Sequence, residues 1–128
     1  MRETILLIHF EDEERARKIK LMALSLKLRI VQVKKEDYLQ SIGYLAGVKE
    51  MEEDPEKYEG EELEKEMMVF AGFSRQKLDG LLQMMRKSGI RVDYKAILTE
   101  VNRTWTVPEL YKELASEHES MQNVIAKK

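Results

Sequence analysis

Apolar positions recur along this chain in three patterns, and each predicts an element. Ile5 to Ile8 is apolar without a break and leads into His9-Phe10. Such a run suits a strand buried on both faces. "EDEERARKIKLMALSLK" follows, with Ile19, Met22, Ala23 and Leu26 at helical spacing. Its four leading acids, Glu11 to Glu14, suit the positive end of a helix dipole. "LRIVQV" alternates and carries β-branched residues, so a second strand is expected there. Asp37 is read as the cap of a short helix over "YLQSIGYLAG", with Tyr38, Ile42 and Leu45 on one face and Gly47 as its stop.

The sequence then returns to the same order. "MMVFAGF" has the character of the first strand. "SRQKLDGLLQMMRKSG" predicts a helix capped by Ser74, buried through Leu78, Leu81, Leu82 and Met85, and stopped at Gly89. "IRVDYKAIL" supplies a fourth strand, mainly in its second half. Thr106-Val107-Pro108-Glu109 matches a capping box with proline in the first turn, and Trp105 and Leu110 take the two staple positions. Val107, Leu110, Tyr111, Leu114, His118 and Met121 mark one face of a helix running to about Glu119.

These parallels suggest pseudo-repeat halves, residues 1–48 and 67–121, within a single domain spanning 1–128. Phe10 corresponds to Phe73, Ile19 to Leu81, and Leu28-Arg29-Ile30 to Ile90-Arg91-Val92. The two most uniformly apolar strands should be central. The expected fold is therefore α+β: a two-layer, mixed four-stranded sheet built from duplicated β-α-β-α units, with a ferredoxin-like arrangement favoured. A small α/β open parallel sheet is the alternative.

Charge alters the picture in one place. Residues 49–66 hold ten acids and three bases, a local charge of -7, so a chain of net -2 carries +5 elsewhere. This segment reads as a solvated linker or surface excursion. The sharper reading is an acidic patch that docks a basic partner or screens the chain's own basic face. The overall charge gives no reason to expect nucleic-acid binding. Cysteine is absent, which removes disulfides and thiolate chemistry and fits a reducing, cytoplasmic setting. No signal peptide or membrane span is read from the sequence.

Candidate chemistry is sparse. No phosphate loop, dinucleotide fingerprint or nucleophile elbow is present. The two histidines, His9 and His118, have no partners at metal-ligand spacing, so neither a metal nor a cofactor is expected. His9 is taken as structural. His118 falls on the apolar stripe of the last helix. Trp105, with Asn102 and Arg103 beside it, offers a ring, an amide and a guanidinium for recognition. Capping and turn formation alone explain most of these residues.

The run Lys95-Ala96, Leu98-Thr99, Asn102-Arg103, Trp105-Thr106, Leu110, Glu113-Leu114 and Glu117-His118 resembles the small bacterial proteins of the "domain of unknown function 3783" family. With "VFAGFSRQKLDGLLQMMRKSGI" before it, the resemblance covers roughly residues 67–119, and His9 stands where the family leads one to expect glycine. The resemblance implies no reaction or substrate. It hints that Asn102, Arg103, Trp105 and His118 share one site, to which Lys95 is added. The expected function is a non-catalytic interaction or regulatory module, partnered by a second copy or another protein. The alternative is a small-anion binding domain or enzyme using Asn102, Arg103 and His118.

Overall fold

The computed structural model describes residues 1–126, with side-chain surroundings given through His118. Four strands form: β1 (Thr4–Ile8), β2 (Arg29–Val33), β3 (Met67–Ala71) and β4 (Tyr94–Ile97). Four helices accompany them: α1 (Glu13–Ser25), α2 (Ile42–Ala46), α3 (Arg75–Lys87) and α4 (Val107–Ala126). The sheet order is β2-β1-β3-β4. β1 pairs with β2 in parallel, β1 with β3 antiparallel, and β3 with β4 in parallel. The fold is α+β with a mixed four-stranded sheet, and the two uniformly apolar strands lie at its centre, as expected.

Three details differ from expectation. A ferredoxin-like arrangement separates the two strands of each β-α-β unit by a strand of the other; here β1 and β2 are direct neighbours, as are β3 and β4. The all-parallel alternative fails at the antiparallel β1–β3 pair. Side by side, the two strands that are apolar on both faces shield each other's inner edge. Nor is the architecture two-layer, because both sheet faces are apolar and each needs a cover. Ile5, Leu7, Met68 and Phe70 meet Ile19 and Met22 of α1 and Leu81 and Met85 of α3. On the opposite face, Leu6, Ile8, Met67 and Val69 meet Ile42 of α2 and Val107 and Leu110 of α4.

Helix ends follow local chemistry. Asp12 caps α1, and its carboxylate accepts the Arg15 N–H at 3.1 Å. That bond holds the Asp12 carboxyl below its usual range, with the Arg15 charge assisting. Ser74 caps α3 as expected. Residues Lys35–Asp37 form a 3-10 turn, so Asp37 does not cap α2; Ser41 does, accepting the Tyr44 N–H at 3.1 Å. Ser41 is also fixed from outside, in an antiparallel bridge to Thr106. The Ile42 N–H donates to Trp105 O at 2.8 Å, and the Val107 N–H to Tyr38 O at 3.1 Å. The starts of α2 and α4 are thus tied together. α4 continues past Glu119 to Ala126, and Met121 lies outside the described side chains.

The acidic segment 49–66 has no regular structure but is anchored along its length. The buried Gln40 amide exchanges two 2.7 Å hydrogen bonds with the Asp54 backbone. Tyr58 and Leu63 pack on the second core cluster, and the Tyr58 N–H donates to Glu36 O. Glu66 receives the Arg15 guanidinium as a two-pronged fork, which pushes the Arg15 pKa up. The segment is a surface excursion fastened as a strap, not a free linker.

Candidate functional site

The five residues singled out in the sequence lie in three places. Lys95 is exposed on the edge strand β4. Asn102 is buried and engaged by backbone: its Oδ1 accepts the Thr99 N–H at 2.9 Å, and its Nδ2 donates to Ile97 O at 3.0 Å. Trp105 is half-buried and packs on the second cluster beside Leu110, as a staple requires. These three line one groove of about 480 Å³ between α3 and α4. His118 is exposed, its ring 5.7 Å from that of Tyr94, and shares a separate depression with Lys95. Arg103 faces neither. It lines a larger cleft at the end of the sheet, so the structure does not bring Arg103 and His118 together.

That cleft, about 720 Å³, lies where β1 and β2 begin and β3 and β4 end. Its cations are Arg2, Arg29, Lys49 and Arg103, and its acids are Glu50 and Glu100. Among the described residues, Arg103 is the one of these cations with a carboxylate within 4 Å: Glu100, at 3.3 Å. Arg29 opens β2, and its Nη1 lies 3.4 Å from Ala46 O, the last carbonyl of α2. A helix C-terminus is a favourable neighbour for a cation.

Glycine shapes one wall of the cleft and the packing behind it. Gly47 has φ +91, and a Cβ there would sit 2.8 Å from Arg29 Nη1. Gly43 of α2 allows contact with the turn that carries Arg103, since a Cβ would meet Arg103 O at 2.8 Å. Arg2, Arg29 and Lys49 were not singled out in the sequence, because they are scattered along the chain, before β1, at the start of β2 and after α2, with no motif to join them. Gly47, read there only as a helix stop, is the nearest available signal.

The opposite end of the sheet is closed. His9, the first residue after β1, is left-handed at φ 61. Its Nδ1 lies 3.2 Å from Glu62 Oε1 and 3.7 Å from Glu11 Oε1, without a well-angled hydrogen bond. The Tyr38 hydroxyl donates to Glu62 Oε2 at 2.6 Å. Burial, then the Glu62 hydrogen bond and charge, drives the Tyr38 phenol well above its ordinary range. His9 thus has carboxylate neighbours that its sequence spacing did not reveal.

The capping box of α4 is formed. The Thr106 N–H donates to Glu109 Oε1 at 3.0 Å, and the Glu109 N–H to Thr106 Oγ1 at 3.4 Å. The Thr106 N–H, then its hydroxyl, holds the Glu109 carboxyl below its usual range. Each resolved shift, at Asp12, Arg15, Tyr38 and Glu109, drives its group further into the form it already has at neutral pH. Among the described residues no cluster of three His, Asp or Glu is arranged to hold a metal ion, and no helix is long and apolar enough to cross a membrane.

No curated protein and no solved structure matches the chain. Residues 66–121, from Glu66 through β3, α3 and β4 into α4, match the family model described as Domain of unknown function (DUF3783).

Proposed function

We propose that this protein is a non-catalytic binding module whose ligand is an anion held in the cleft of Arg2, Arg29, Lys49 and Arg103. The carrying observation is the gathering of four cations around one open cleft, three of them with no carboxylate within 4 Å among the described residues. Guanidinium groups supply planar pairs of donors suited to carboxylate and phosphate. Binding rather than proton transfer is supported by the lining of the cleft, which holds no histidine. Asn102 and His118 have no part in the reading: Asn102 is consumed by the turn, and His118 faces another depression. A cytoplasmic setting belongs to it, supported by the cysteine-free chain. So does a protein partner, either a second copy or another chain.

The test is a thermal-shift screen of the purified protein with inorganic phosphate, sulfate and small carboxylates. A bound anion raises the melting temperature by mass action. The wild type should respond to at least one of them, and Arg29→Ala and Lys49→Ala should blunt the response. No response at millimolar anion from any class would refute the proposal.

A further inference from the structure

We infer that the cleft takes a carboxylate, because a carboxylate of the chain itself fills the corresponding place at the opposite end of the sheet. The inference rests on the anion-binding reading above and narrows its ligand class.

The sheet's pairing pattern has two-fold symmetry. Leu6 faces Val69 at the centre of the antiparallel β1–β3 pair, with β2 and β4 parallel on the outer sides. The rotation exchanges the two ends of the sheet. His9, the first residue after β1, goes to Gly72, the first after β3. Both are left-handed, at φ 61 and φ 81. On the outer strands Arg29 goes to Tyr94, since they pair with Thr4 and Met67 respectively. The same interval of 65 residues carries Ser41 to Thr106, which bridge each other antiparallel as two residues astride a two-fold axis must. It also carries Tyr38 to Arg103, each three residues before its bridge residue.

At the closed end, Tyr38 and His9 converge on the Glu62 carboxylate, carried there by the strap. At the open end, Arg103 and Gly72 line the cleft, with Arg2 and Arg29 around them. The place that matches Glu62's carboxylate therefore falls inside the cleft. The phenol of Tyr38 has the guanidinium of Arg103 as its counterpart, while the imidazole of His9 gives way to glycine and leaves Arg2 and Arg29 as the other donors. Guanidinium groups hold a carboxylate through two parallel charge-assisted hydrogen bonds. The carboxylate can come from a free small acid or from a glutamate of an acidic peptide, such as a second copy's strap.

The experiment titrates the full-length protein, by calorimetry at low salt, with succinate, with inorganic phosphate and with a synthetic peptide of residues 59–66. Binding of succinate or the peptide is expected, weakened tenfold or more in Arg103→Lys and in Arg29→Ala, with folding checked by circular dichroism. Succinate alone identifies a small acid, and the peptide alone identifies a protein segment; either supports the inference. Phosphate binding without either carboxylate overturns it while leaving the anion-binding cleft intact. Carboxylate binding undiminished in both folded variants places the site elsewhere and overturns it too. No binding by any probe removes both readings.

Discussion

Asn102→Ala separates a structural role from a recognition role at a residue that sequence reasoning would assign to a site. The Asn102 amide bridges two backbone groups: the Thr99 N–H at 2.9 Å and the Ile97 carbonyl at 3.0 Å. Removing it strands both. A buried polar group left without a partner costs about 1–3 kcal/mol. Thr99 is exposed, so water recovers part of its share, and the net expected loss is about 2 kcal/mol. For a domain of this size that lowers the melting temperature by roughly 6–10 °C. Urea denaturation should show the midpoint falling at unchanged slope. Asn102→Asp should be at least as damaging at neutral pH, because a carboxylate oxygen then faces the Ile97 carbonyl where a donor stood. The protonated acid can donate, so the folded-state pKa at this position should lie above the ordinary value of about 3.9. The penalty is thus full above the folded-state pKa and shrinks as pH falls through it. A loss below about 0.5 kcal/mol in Asn102→Ala would refute the reasoning, since the amide would then be free for a ligand.

Three further substitutions test the fold around the cleft and the strap. Gly47→Ala should destabilise by about 1–2 kcal/mol, since its φ of +91 is left-handed, and should weaken anion binding by displacing Arg29; denaturation and calorimetry on one sample check both. Glu66→Gln breaks the fork to Arg15 where the strap ends; both side chains are mostly buried, at 13% and 25% exposure, so a loss of about 1–2 kcal/mol is expected by denaturation, discounted for the exposed part. Glu109 has a depressed pKa in the fold, so its stabilising contribution is complete above about 4.5 and is lost as pH falls through the folded value. Stability measured from pH 6 to pH 3 should therefore fall less steeply in Glu109→Gln than in the wild type.

Elements that declare themselves by local chemistry were legible in the sequence. The four strands, the Ser74 cap, the left-handed stops at Gly47 and Gly89 and the capping box at Thr106 all form where the pattern predicts. What the sequence could not convey was long-range pairing. Nothing local states that Ser41 will bridge Thr106, and that bridge helps determine which residue caps α2. Strand order was lost for the same reason: periodicity reports which faces are buried, not which strand lies alongside. The repeat was also mis-registered at its end. α1 and α3 correspond at an interval of 62 residues, but β2 and β4 at 65, so the apparent match of Arg29 to Arg91 becomes Arg29 to Tyr94. That slip concealed the equivalence of Tyr38 and Arg103. The cleft itself draws Arg2, Arg29, Lys49 and Arg103 from distant parts of the chain, and no spacing rule collects them.

The two ends of the sheet differ in what competes for their polar groups. At the closed end Glu62 is one-third exposed and engages both Tyr38 and His9, while Tyr38 is fully buried. Displacing that carboxylate would strand a buried hydroxyl, at a cost of about 1–3 kcal/mol. At the open end Arg103 is held by Glu100, whose side chain is 86% exposed and lies three residues away in sequence. A surface pair of this kind contributes about 0–1 kcal/mol. Arg29 has the Ala46 carbonyl and no carboxylate within 4 Å among the described residues. An incoming anion therefore gives up little by replacing Glu100 and gains a second guanidinium that has no charged partner. The strap makes the difference: its Glu62 satisfies one end from within the chain. Its Glu50 lines the other end but has no cation within 4 Å among the described residues, so on the proposed reading that end's cations remain for a ligand.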